Sequence, residues 1–214
     1  MNIWLNFLID SLAFGATFMY GSTGEIITEK PGHLNLGIPG IMCMGGAGGC
    51  LVLNMIGTSS LPDFLIVILG IAGALAAAML MGLIYSFLTV TLRANQNVTG
   101  LALTTFGMGF GNFFGGSLSP LAGGVGQIST AATSGLFRAK IPFLCDLPVV
   151  GELFFSYGML AYAGIIITIV LHWFLYRSRP GLNLRSVGES AATADAAGIN
   201  VTRYKYLATI IGGM

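Results

Sequence analysis

Charge is the scarcest property of this sequence. Of its 214 residues only 8% are charged, eight acidic and nine basic, where a soluble domain carries about 25%. So few ionic groups cannot cover a water-soluble fold of this size, and the mean hydropathy of +0.84 agrees. Most of the surface must face lipid. The net charge of +1 excludes general attraction to nucleic acid, so no nucleic-acid partner is expected. Cysteine is nearly absent as well. Cys43, Cys50 and Cys145 are too few and too scattered for a disulfide framework. No His or carboxylate lies between Cys43 and Cys50, so they read as small apolar residues rather than as metal ligands.

Other absences narrow the chemistry. There is no Gly-Lys pair, hence no phosphate-binding P-loop, and ATP hydrolysis by that route is excluded for this chain. The apolar runs hold almost no ionisable groups, which disfavours both an intramembrane enzyme and a proton-coupled carrier. No catalytic residue, metal or cofactor is expected. His33 and His172 lie far apart, with no ligand-spaced carboxylate or Cys, and read as interfacial residues. Gly107-Met108-Gly109-Phe110-Gly111 follows no strand, so helix packing explains it better than dinucleotide binding. Asp10 admits two readings, a functional acid within the membrane or an outer-leaflet position. The Asn-x-Thr sequons at Asn97 and Asn200 fall on the expected inner side and read as coincidental.

What is present is apolar length and glycine. Five stretches are long enough to span a bilayer, which takes about 20 residues: Trp4 to Gly21, Leu34 to Ile56, Phe64 to Leu92, Gly100 to Gly116, and Phe155 to Tyr176. A sixth begins near Tyr204 and stops at Met214, so the chain reads as C-terminally incomplete. The N-terminal run has no basic leader and carries Asp10, so it reads as a retained span. Glycine, 32 residues in all, clusters inside these runs, as in helices that pack through small residues. The second stretch holds Pro39 and Gly45-Gly46-Ala47-Gly48-Gly49. It is expected to be irregular and therefore interior.

Orientation follows from the bases. Arg177, Arg179, Arg185, Arg203 and Lys205 are five of the nine and place residues 177–205 in the cytoplasm. Counting back puts Arg93 and Lys30 inside, the 117–153 loop outside, and the N-terminus outside. Trp4 then marks the outer interface; Trp173, Tyr176, Tyr204 and Tyr206 mark the inner one. Within 177–205, Ser190 is a plausible helix N-cap and Gly198 a helix stop, bracketing about two Ala-rich turns. A helix that short is unstable alone. It is either an ordinary structured loop or a docking element whose alanines admit another backbone closely.

The same segment resembles the coupling segment of ABC-importer permeases of the ribose, nucleoside and branched-chain amino acid group. Gly181, Arg185, Gly188, Ala194, Gly198 and Ile199 match the family pattern, and Ser190 stands where Asn is common. Two further runs agree in order and spacing: Gly24 to Gly40, with Glu29-Lys30, Asn35-Leu36-Gly37 and Gly40, and Arg93-Ala94-Asn95-Gln96-Asn97-Val98-Thr99-Gly100. The resemblance implies an all-α, polytopic permease domain over 1–214 with the vitamin-B12-importer-like fold. It implies a second permease subunit, cytoplasmic ATPases meeting Arg185, Gly188, Glu189, Ser190, Ala194, Gly198 and Ile199, and an external binding protein, for which the 117–153 loop, longer than ordinary connections, is the expected docking place. The setting would be a prokaryotic cell membrane.

The Glu29 to Gly40 and Ala94-Asn95-Gln96 runs look most like nucleoside or simple-sugar permeases; the alternative is a branched-chain amino acid permease. An ATP-independent carrier or channel is the rival of another class. Asn35, Gly37, Phe106 and Phe110 are the expected path-lining residues, although a Phe row at helical spacing also suits packing or lipid contact.

Overall fold

The computed structural model describes residues 3–57, 59, 61–116, 130, 133, 135–138 and 157–214. Helices are the only regular elements among them. In chain order these are α1 (Ile3–Glu29), α2 (Ile38–Ile56), α3 (Asp63–Ser86) continued by a π-helical turn (Phe87–Thr91), α4 (Gln96–Gly116), a 3-10 turn (Gly135–Arg138), α5 (Met159–Arg177), α6 (Arg179–Glu189), α7 (Ala191–Ala196) and α8 (Val201–Gly213). Three stretches, Ile38–Ile56, Asp63–Thr91 and Met159–Arg177, are long and apolar enough to cross a bilayer. Phe64, Leu80, Ile166, Ile169, Val170 and Trp173 are all exposed on them. Apolar surface this extensive belongs against lipid or further protein rather than water. The chain is a membrane protein whose regular structure, among the described residues, is all helical. The expected outer loop lies almost wholly outside the described residues, and Lys140 and Cys145 with it.

Several boundaries differ from the sequence expectation. Helix α1 continues about two turns past Gly21, so Glu25 and Glu29 are helical. Helix α2 opens at Ile38, not Leu34, with Pro39 in its first turn, where a missing N–H leaves no bond unmade. Residues 34 and 35 have no regular structure and 36–37 form a turn instead. The expected irregularity of α2 is absent, because its glycines serve packing. Gly48 and Gly49 lie against Ala77 and Ala74 of α3, while a Cβ on Gly40 would stand 2.6 Å from Thr104 Cα of α4. In lipid no hydrophobic gain joins helices, so van der Waals contact between closely approaching backbones must hold them. Helix α2 lies between α3 and α4 and is the most buried of the three spans, so its interior position is as expected.

Two clusters fix the bundle. Ile41, Met44, Ala78, Met81, Tyr85 and Leu103 join α2, α3 and α4. Ile27, Leu175, Leu184 and Ala208 join α1, α5, α6 and α8. Helix α8 wedges between α1 and α3. Its Gly212 meets Gly24 and Thr28, and its Ile210 Cα would lie 3.4 Å from a Cβ on Gly82.

Candidate functional site

The segment from Ser178 to Gly213 is built from capped helices. Ser178 accepts from Gly181 N at 3.0 Å and Pro180 occupies the first turn of α6. Residues 177–205, expected as a loop, thus hold a full helix here, and Ser178-x-Pro180 is its start signal. Its buried Leu184 and Val187 dock it on the bundle. Asn183 Nδ2 donates to Tyr204 Oη at 2.9 Å, tying α6 to α8.

Helix α7 has the caps expected from sequence. Ser190 Oγ accepts from Thr193 N at 3.3 Å. At the other end Gly198 has φ +82, Ile199 N donates to Ala194 O and Gly198 N to Asp195 O, both at 2.9 Å. That pair of bonds is the Schellman ending, which requires a left-handed residue. Asn200 then caps α8 by accepting from Arg203 N at 2.9 Å. The bracketing caps leave α7 no freedom to lengthen or slide.

The sequence-derived coupling residues divide by position. Glu189, Ser190 and Gly198 are exposed, Ile199 is half-buried, and Ala194 is 4% exposed. Ala194 therefore packs inside this chain. The exposed small side chains of α7 are Ala192 and Ala196, followed by Ala197. Arg185 is half-buried, with its guanidinium 4.9 Å from the Tyr176 ring centroid. Gly188 abuts the turn between α1 and α2. A Cβ there would overlap the Lys30 carbonyl and stand 3.3 Å from Gly32 N.

That turn, residues 30–37, is irregular backbone held by side chains from three helices. Leu34 N donates to Gln96 Oε1 at 3.1 Å and Leu34 O accepts from Tyr85 Oη at 2.6 Å. Asn35 N donates to Glu25 Oε1 at 3.1 Å, Leu36 O accepts from Thr104 Oγ1 at 2.6 Å, and Gly37 N donates to Asn35 Oδ1 at 3.0 Å. Irregular backbone beside a membrane core is tolerated when protein groups satisfy it in this way.

His33 is the centre of this arrangement. It is 2% exposed, enclosed by the chain itself; the ring packs edge-on against Tyr85 with centroids 6.1 Å apart. Thr89 Oγ1 donates its single proton to Tyr85 O at 2.7 Å, so toward His33 it accepts. Nε2 therefore carries the hydrogen, 2.9 Å from Thr89 Oγ1. Gln96 Oε1 already accepts from Leu34, which leaves its amide nitrogen to donate to His33 Nδ1 at 3.4 Å. The network assigns one neutral tautomer. Burial, and secondarily the charge of Lys205, lower the His33 pKa to about 4. Nothing in spacing pointed to His33, Thr89 and Gln96 as a unit, because they come from three elements.

The expected path residues also separate. Asn35 is 1% exposed and Gly37 is buried, both within the turn. Phe106 is 57% exposed on α4, and Phe110 is half-buried, stacked on Phe114 at 4.0 Å. His172 is exposed, with its ring 4.9 Å from Tyr176. Asp10 is exposed on α1.

The described residues form a helical membrane chain with a short, doubly capped helix carried beside its spans, and comparison with known proteins gives the family. Residues 7–214 match the family described as branched-chain amino acid transport system / permease component, and the chain belongs to it. It is 34% identical over 96% of its length to a putative glucose ABC transporter permease of Haloferax volcanii, covering 59% of that protein. It is 30% identical to a guanosine ABC transporter permease of Bacillus subtilis and to a nucleoside ABC transporter permease of Lactococcus lactis subsp. cremoris, over 95% of its own length and 62% of each. The chain thus spans about three fifths of the length of these relatives. No solved structure matches.

Proposed function

We propose that the chain is the permease of an ATP-driven importer for nucleosides or simple sugars, with α7 as the element that receives force from an ATPase. The observation that carries this is the geometry of α7: a six-residue helix, fixed by caps at both ends, offering Ala192, Ala196 and Ala197 outward while Ala194 anchors it inward. The names of the glucose, guanosine and nucleoside relatives support the substrate class. In this reading α6, α7 and the Lys30–Gly37 turn are cytoplasmic and the N-terminus is external. The fold is the vitamin-B12-importer type, paired with a second permease subunit and served by an external binding protein. Arg185, Gly188, Glu189, Ser190, Gly198 and Ile199 shape the ATPase contact. Asn35 and Gly37 hold the turn, so any solute-facing role among the four path residues falls to Phe106 and Phe110.

The test is co-purification and uptake in the complete transporter. Replacing Ala192 and Ala196 by Trp should abolish ATPase co-purification and ATP-coupled uptake of guanosine or glucose while leaving the permease folded. Ala194 is unsuitable for this, since its replacement would disturb the chain itself. Undiminished assembly with both tryptophans in place, or uptake by the permease without any ATPase, would refute the proposal.

A further inference from the structure

We propose that His33 is a positioning residue for transport, joining the segment that carries α7 to the adjoining ends of α3 and α4 so that movement of one is delivered to the others. This rests on the reading of α7 as the force-receiving element and adds the route by which that force reaches the spans.

Three contacts in series make the route. Helix α7 follows α6 with only Ser190 between them, so displacing α7 displaces the end of α6. That end, Gly188, sits directly on the carbonyl of Lys30 and on Gly32, with no side chain between the backbones to absorb motion. Gly32 has φ +77, a conformation that makes the turn tight at this point. The next residue is His33. Its two ring nitrogens face different elements, Nε2 to Thr89 in the π-helical turn and Nδ1 to Gln96 in the first turn of α4. Buried and bonded at both nitrogens, the imidazole cannot yield without breaking one of these bonds.

The far end of the route is the π-helical turn that closes α3. In the π turn Leu92 N donates to Phe87 O at 3.0 Å, five residues back. Such turns hold one more residue than an α turn and recur at functional sites. Arg93, which follows, has φ 54, a left-handed conformation that side chains seldom adopt. A second tether reaches the same turn, since Thr91 and Tyr206 of α8 share a hydrogen bond between their hydroxyls. The end of α3 is thus held from α6 through His33 and from α8 through Tyr206. His33 is too deeply buried to meet solute, so its role is mechanical.

The experiment uses the complete transporter in proteoliposomes, with labelled guanosine and glucose as probes, comparing wild type with His33→Ala, Thr89→Val and His33→Gln. The readouts are ATPase co-purification and ATP hydrolysed per molecule imported. Both disrupting variants should retain the ATPase, while ATP used per molecule rises, about two- to twelve-fold in Thr89→Val, which removes one hydrogen bond, and further in His33→Ala, which removes two. His33→Gln, whose amide can donate to Thr89 and accept from Gln96, should restore most of the coupling. An unchanged ratio in His33→Ala or Thr89→Val overturns the inference. Loss of the ATPase also overturns it, by making the network a docking device. Should His33→Ala fail to fold, Thr89→Val decides, since it deletes one hydroxyl and keeps the shape. Uptake by wild type without ATPase would instead overturn the proposed function, so the two failures are distinguishable.

Discussion

Replacing Gly188 by Ala puts the seat of α6 under direct strain. The added Cβ would overlap the Lys30 carbonyl oxygen and lie 3.0 Å from the Lys30 carbonyl carbon and 3.3 Å from Gly32 N. Carbon atoms prefer separations of about 3.5–4.0 Å, and every neighbour here is backbone, so the two segments must part by about 1 Å. Overpacking of this kind costs about 1–3 kcal/mol. Better helix propensity returns at most about 1 kcal/mol, less in the last turn of a helix. The expected net loss of stability is therefore small, about 0–2 kcal/mol, while α6 is lifted from the turn that His33 anchors. The assay is thermal unfolding in detergent, with ATP-coupled uptake alongside. Gly46→Ala is the control, because a Cβ there meets nothing within 4 Å and should stabilise α2 by about 1 kcal/mol. If Gly188→Ala matches that control in both unfolding and uptake, the close contact between α6 and the turn is not what holds them in register.

The other predictions concern the same framework. Gly40→Ala should destabilise the bundle by about 1–3 kcal/mol, since its Cβ would stand 2.6 Å from Thr104 Cα; a monodisperse variant with an unchanged thermal midpoint would contradict the α2–α4 crossing. Tyr85→Phe removes the donor to Leu34 O, 2.6 Å away in a partly buried bond, and should cost about 0.5–1.5 kcal/mol, read from the same unfolding curves. Gly198→Ala meets no neighbour but must hold φ +82, at a cost of about 1–2 kcal/mol, visible as fraying of α7 in hydrogen exchange.

Acidification should weaken the fold through His33. Its native pKa is near 4 against an ordinary 6.5, so below pH 6.5 the unfolded chain binds a proton that the native chain refuses. The stability contributed by neutral His33 is complete above pH 6.5 and declines as the pH falls toward 4. His33→Gln should flatten the thermal midpoint across that interval, and an identical slope in the variant would assign the effect to other groups.

The membrane class was settled by the scarcity of charge, because no arrangement of so few ionic groups can solvate so much apolar surface. Local signals likewise fixed the caps of α7, since Ser190 and Gly198 act through bonds to residues three to five positions away. The positions of Ala194 and His33 were not legible in this way. Whether an alanine on a two-turn helix faces its own chain or a partner depends on what the rest of the chain places beneath it, and here Ala194 is buried. Similarly, the Gly-rich run of α2 reads as a break when only propensity is considered. Tertiary contact reverses that, because α3 and α4 approach where the glycines lie. His33 gained its partners from a π turn and a helix start 56 and 63 residues away. Sequence supplied the hydrogen-bonding groups, and only the fold, by burying them together, decided which of them had to meet.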